Sequence, residues 1–141
     1  MDVLVHIDGG ARGNPGPAGA GFVLTTMDGE TLAEGSIPLE PTTVNVAEYR
    51  ALIAGLAEAK RKGLRRLKVR LDSELVCRQL SGEYRVKSPA LRKLFDWAQK
   101  LMSGFEEVTW EHVPREQNTR ADALAAAASA KSKERWHEDV E

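Results

Sequence analysis

The spacing of apolar positions changes period several times along the chain, and each change marks an element. Residues 3–7 (VLVHI) are aliphatic and β-branched, and the glycine and proline run over 9–16 forbids a helix from starting, so the first element is a short strand ending on Asp8. Residues 20–26 and 31–37 are two further apolar-rich runs, separated by Met27-Asp28-Gly29-Glu30 with its hairpin turn signal. With the first strand they predict a three-stranded antiparallel meander that Pro38 and Pro41 bring to an end.

From Asn45 the period lengthens. Tyr49, Leu52, Ile53, Leu56 and Ala59 recur at three and four, which predicts an amphipathic helix stopping near Gly63. Leu67, Val69 and Leu71 then alternate with Lys68, Arg70 and Asp72, a period of two and a fourth strand. A short helix over 74–80 is broken by Ser81-Gly82, and Ser88-Pro89 starts another whose stripe is Leu91, Leu94, Phe95, Ala98, Leu101 and Met102. Residues 105–113 read as a fifth strand, 114–118 as loop, and an alanine-rich helix from Thr119 fades into a charged tail after Ala130. The order β-β-β-α-β-α-α-β-α predicts an α/β fold with a five-stranded mixed sheet flanked by helices. Its first three strands are antiparallel, and the fourth and fifth run parallel to the first. Residues 1–130 form one domain; 131–141, with Trp136 among mixed charges, are a solvated end that prolongs the last helix.

Composition narrows the function classes. At 141 residues the chain buries enough surface to fold without disulfides or a structural metal, and its single Cys77 forms no internal bridge. Three histidines and one cysteine, none clustered, argue against a zinc site. No apolar run approaches the ~18 residues of a membrane span, so the chain is expected to be soluble and cytoplasmic, and a monomer by default. A net charge of −1 argues against coating nucleic acid through bulk electrostatics, although basic residues cluster at 60–66, at Arg85, Lys87, Arg92 and Lys93, and at Arg115 and Arg120.

The chemistry sits in four acids. Parallel pairing of the first and fourth strands would put Asp8 and Asp72 side by side at the carboxyl edge of the sheet, where open sheets bind ligands. Glu48 and Asp122 stand near the starts of two helices. Each acid singly also fits a bland role: Glu48 lies three residues after Asn45 and Asp122 three after Thr119, both the spacing of a capping box, while Asp72-Ser73 fits an N-cap. Gathered together, four carboxylates would repel and raise one another's pKa values unless divalent cations neutralised them. An all-oxygen ligand set favours Mg²⁺ or Mn²⁺. Two such ions about 3.5–4 Å apart can activate a water on one side of a phosphodiester and stabilise the leaving oxygen on the other.

Taken in order, DGGARGNPGPAGAG after the first strand, NVAEYRAL on the first long helix, LDSELV after the fourth strand, GEYRVK in the following turn and HVPREQNTRADALA before the last helix resemble type 1 ribonuclease H. The resemblance implies an endonuclease that cuts the RNA strand of an RNA/DNA hybrid, leaving 5′-phosphate and 3′-hydroxyl ends, with two Mg²⁺ or Mn²⁺ ions. By that resemblance Asp8 bridges both ions, Asp122 completes the site of the attacking water, and Glu48 and Asp72 hold the ion beside the leaving group. Gly9, Gly10, Asn14 and Asn45 look like the surface that meets the minor groove of the hybrid, where 2′-hydroxyls distinguish RNA from DNA. Asn118 stands where the family places an asparagine near the active site.

Several departures bear on substrate rather than chemistry. Val44-Asn45 replaces the paired asparagines of many members, and Glu74 stands where Gln is common and would oppose nearby phosphates. Residues 80–91 leave no room for the basic helix some members use as a substrate handle, so weak binding with a shallow salt dependence is expected. Glu116 falls where some members carry a mobile histidine, and is expected to help proton transfer or product-metal release; His112 reads as structural. Two rival functions share the fold: a non-catalytic nucleic-acid-binding module and a related nuclease acting on DNA.

Overall fold

Period-two alternation sorts the strands onto two faces of one sheet. The computed structural model describes the backbone of residues 2–139 and the side chains of residues 2–135. The strands are β1 (Asp2–Ala11), β2 (Gly16–Thr26), β3 (Thr31–Thr42), β4 (Arg66–Leu71) and β5 (Glu107–His112), in the spatial order β3-β2-β1-β4-β5. β1 is antiparallel to β2 and β2 to β3, while β4 is parallel to both β1 and β5, as the order of elements predicts. The helices are α1 (Val44–Arg61), α2 (Glu74–Leu80), α3 (Pro89–Met102) and α4 (Thr119–Asp139).

Val3, Val5 and Ile7 of β1, with Ala18, Ala20, Phe22 and Leu24 of β2, point to the side covered by α1 and join Leu52, Ile53 and Leu56 in the buried core. The intervening positions of β2 face α4. There Gly19 and Gly21 leave no room for a side chain, because a Cβ on Gly19 would lie 2.4 Å from the Ala125 carbonyl oxygen and one on Gly21 2.5 Å from that of Ala121. α4 therefore seats its alanine stripe directly on the sheet. Ser132, fully buried, donates its hydroxyl to the Leu39 carbonyl, so the last helix remains docked past Ala130. The surroundings of Trp136 and the residues after it lie outside the described side chains.

Three boundaries differ from the pattern-based expectation. Residues 9–11, expected in the loop, belong to the β1–β2 ladder, with Gly9 paired to Ala20, Gly10 to Gly19 and Ala11 to Ala18, and Gly16 pairs with Thr42 of β3. Glycine weakens strand propensity, but here a neighbouring strand and two close helices supply the missing stabilisation. β3 also runs through Pro38 and Pro41, which an edge strand tolerates because its outer amides have no ladder partner. α1 is capped by Thr43, whose hydroxyl accepts from the Val46 amide, not by Asn45.

Candidate active site

Parallel register brings the first two acids level. His6 of β1 pairs with Arg70 of β4, and Asp8 and Asp72 each stand two residues beyond that rung. Gly9 then brings α1 to them: a Cβ at this position would lie 2.2 Å from the Glu48 backbone nitrogen, so only glycine lets the helix sit against the strand end. The Gly9 amide donates a hydrogen bond to the Glu48 carboxylate. Gly9→Ala is accordingly expected to cost about 1–3 kcal/mol of stability through overpacking, and to lower activity as Glu48 is displaced. Thermal melting and a cleavage assay check it, and wild-type values in both would mean that this contact does not set the position of α1.

The bland alternatives for Glu48 and Asp72 dissolve because other residues do the capping. Thr43 caps α1, and Ser73 caps α2 by accepting from the Val76 amide at 3.2 Å. Asp8, Glu48 and Asp72 are instead turned together, with one carboxylate oxygen of each within 4.8 Å of the others. Asp122, on the first turn of α4, hydrogen-bonds to Asp8 and lines the same cavity of about 590 Å³. All four acids therefore meet.

Burial makes this cluster costly. Asp8 is 6% exposed and Glu48 3%, and Glu48 Oε2 is buried with no hydrogen-bond partner. Burial first, then the hydrogen bond with Asp122 and the charges of Asp72 and Asp122, pushes the Asp8 carboxyl up to about 8. Burial and the charges of Asp8 and Asp72 likewise raise Glu48 well above the ordinary carboxylate range, against the opposing pull of the Gly9 amide. An orphaned buried carboxylate oxygen beside two more carboxylates is the environment a hard divalent cation satisfies, so the donor set fits Mg²⁺ or Mn²⁺.

The remaining expected residues divide. Gly10 opens onto the cavity, with nothing within 4 Å of where its Cβ would stand. Asn14, at the tip of the β1–β2 turn, accepts through Oδ1 from the Val44 amide at 3.1 Å, which ties the turn to the start of α1, where Asn45 follows. Asn118 is a correction: it is 1% exposed and donates through Nδ2 to the Ile7 carbonyl at 2.8 Å, so it braces the start of α4 against the end of β1 rather than meeting substrate. Glu74 points to Arg78, with Oε1 2.9 Å from Nε, and does not line the cavity. Glu116 is exposed on a tight 3-10 turn (Arg115–Gln117) and is likewise absent from the lining. Its neighbour Arg115, which the sequence marked only as part of a basic cluster, reaches in: its Nη2 is 3.2 Å from Asp122 Oδ1, and the charges of Asp122, Asp8 and Asp72 raise its pKa. His112, read from the sequence as structural, donates from Nε2 to the Asp72 carbonyl at 3.3 Å and also lines the cavity.

This geometry has close counterparts. Residues 6–128 match the family described as reverse transcriptase-like. A bifunctional protein of Mycobacterium tuberculosis is 51% identical over 126 residues, covering 89% of this chain and 35% of that protein. The ribonuclease HI of Halobacterium salinarum is 45% identical over 126 residues, 89% of this chain and 63% of the relative. The solved structure of LC11-RNase H1 in complex with an RNA/DNA hybrid superposes with a TM-score of 0.87 at 42% identity, over 92% of this chain and 98% of that one. The chain belongs to the ribonuclease H family. Both named relatives are longer than the part this ribonuclease H chain spans, about a third of the mycobacterial protein and under two thirds of the halobacterial one. Among the described residues no helix is long and apolar enough to cross a membrane.

Proposed function

We propose that the chain is an endonuclease that hydrolyses the RNA strand of RNA/DNA hybrids by two-metal-ion catalysis, giving 5′-phosphate and 3′-hydroxyl ends. The observation that carries this reading is the convergence of three carboxylate oxygens from β1, α1 and the end of β4 within 4.8 Å, one of these residues holding a buried oxygen that nothing in the protein satisfies. The hybrid bound to the LC11 relative supports the substrate class.

Asp8, at the centre of the cluster, would be shared between two Mg²⁺ or Mn²⁺ ions, with Asp122 completing one site and Glu48 and Asp72 the other. Bound there, the cations supply Lewis-acid stabilisation of charge on the phosphodiester and lower the pKa of the attacking water. The protein's own contribution is positional. β1 and β4 fix two acids at one level, the Gly9 contact fixes the third, and Asn118 fixes the helix that carries Asp122. Gly10 lines the cavity, Asn14 is tied to the start of α1 where Asn45 follows, and the three would meet the minor groove of the hybrid. With Glu74 engaged by Arg78, the acidic departure at that position is partly neutralised before any phosphate arrives.

A cleavage assay comparing hybrid, duplex DNA and duplex RNA, with and without Mg²⁺ or Mn²⁺, tests the reading. Metal-dependent cutting of the RNA strand in the hybrid alone is the expected result, with binding that depends shallowly on salt because no basic handle is present. Hybrid binding without cutting would select a non-catalytic module, and cutting of duplex DNA a related nuclease. Glu116 is proposed to assist proton transfer or product-metal release from the exposed turn whose first residue, Arg115, lines the cavity. Glu116→Gln should then lower turnover several-fold and shift its dependence on metal concentration; unchanged turnover at every concentration removes that role.

A further inference from the structure

The cavity does not end at the acids. Beyond Asp122 its wall follows α4 along Ala125, Ala126 and Ser129, and Asp122 to Ser129 is seven helical positions, about 10 Å. The alanines leave this stretch open and uncharged. At its far end Arg12, from the turn between β1 and β2, donates through Nε to Ser129 Oγ at 3.2 Å. Ser129 is 5% exposed and donates its own hydroxyl hydrogen to the Ala126 carbonyl at 2.9 Å, so its lone pair is aimed at the guanidinium. The Arg12 backbone is also fixed, its amide donating to the Pro17 carbonyl at 2.8 Å.

Most arginines of the protein are paired with a carboxylate, and Arg12 shares with Arg50 and Arg85 the lack of an ion pair among the described residues. Arg61, Arg65, Arg66, Arg70, Arg78 and Arg92 each have a carboxylate within 4.0 Å, and Arg115 and Arg120 do as well. Among the described residues no carboxylate pairs with Arg12. A guanidinium held only through Nε keeps its outer edge of two terminal nitrogens open, and that edge matches a phosphate oxygen pair. The pinning through Nε also restricts the side chain before anything binds, which reduces the entropy cost of capture.

Building on the nuclease reading above, we infer that Arg12, positioned by Ser129, is a binding site for a non-scissile phosphodiester of the strand being cut, at the end of the alanine-lined arm of the cavity. The contact supplies one of the few phosphate interactions of a chain without a handle, and it fixes the register of the strand relative to the acids. Arg12 makes the contact; Ser129 is a positioning residue.

Steady-state cleavage of a hybrid by wild type, Arg12→Ala and Arg12→Lys tests it, with melting temperatures measured alongside. Arg12→Ala should raise KM about five- to tenfold while changing kcat less than about twofold, and should make the slope of log kcat/KM against log salt shallower by about 0.7–0.9, the value of one phosphate contact. Arg12→Lys should recover the slope but only part of the KM, because a point charge replaces the fork. Substituting neutral methylphosphonates one at a time along the RNA strand locates the partner. At one linkage the wild type should lose affinity and Arg12→Ala should lose nothing further, the signature of a shared contact. If Arg12→Ala only lowers the melting temperature and leaves KM and the salt slope as in wild type, or if every linkage is additive with it, Arg12 is a structural clasp and the inference is wrong, while hybrid cleavage by the wild type leaves the nuclease reading standing. A wild type that cuts no hybrid overturns both.

Discussion

Asp8→Asn is expected to reduce cleavage of an RNA/DNA hybrid by at least about 10³-fold, because the Lewis-acid contribution it anchors is worth several kcal/mol and each 1.36 kcal/mol is a factor of ten in rate. The substitution keeps the shape of the side chain and removes a group whose ionisation the charges of Asp72 and Asp122 oppose. The fold should therefore survive, and the metal-free variant should melt no lower than the wild type. Activity within tenfold of wild type at saturating Mg²⁺ and Mn²⁺ would refute the assignment of the cluster as the catalytic centre. A variant that fails to fold would point elsewhere, to a structural hydrogen bond between Asp8 and its neighbours outweighing their repulsion.

The second large effect is on stability. In the metal-free protein the Asp8 carboxyl titrates near 8, far above its value in an unfolded chain, and Glu48 is raised in the same direction. For such groups the folded state binds more protons than the unfolded one between the two pKa values. Their contribution is therefore most favourable at acid pH and is lost as pH rises from about 4 to about 8. Melting temperature measured without metal should fall across that window, and the fall should be smaller in Asp8→Asn. Divalent cations reverse the effect. At one hundred times its dissociation constant a ligand that binds only the folded state adds about 2.7 kcal/mol, roughly 8 °C for a domain of this size, with the larger shift at pH 8 than at pH 5. Equal shifts at both pH values, or an undiminished shift in Asp8→Asn, would mean that the cations bind somewhere other than these acids.

Much of this was legible along the chain. The alternation of Leu67, Val69 and Leu71, the three-four spacing of α1 and the Ser88-Pro89 start of α3 reflect local rules that tertiary packing only had to accept, and α2 was bounded from its flanking residues alone. The four acids stood out because each ends a strand or begins a helix. Other residues were misread where two distant segments meet. Asn118 looked like a substrate contact, but it is buried and its Nδ2 donates to the Ile7 carbonyl, more than one hundred positions away in the chain. Residues 9–11 looked like loop because glycine has low strand propensity, yet pairing with β2 and the approach of α1 outweigh it.

The sequence by itself determined the element order, the mixed sheet and the identity of the four acids, since periodicity and residue chemistry are properties of neighbours along the chain. Only the tertiary structure decided that Thr43 and Ser73 do the capping, that Gly9 is the contact on which α1 rests, that Arg115 meets Asp122 in the cavity, and that Arg12 bonds to Ser129 of its wall. The physical reason is distance. Burial, repulsion and hydrogen bonding act between groups within a few ångström in space, and separation along the chain carries almost no information about which groups those are.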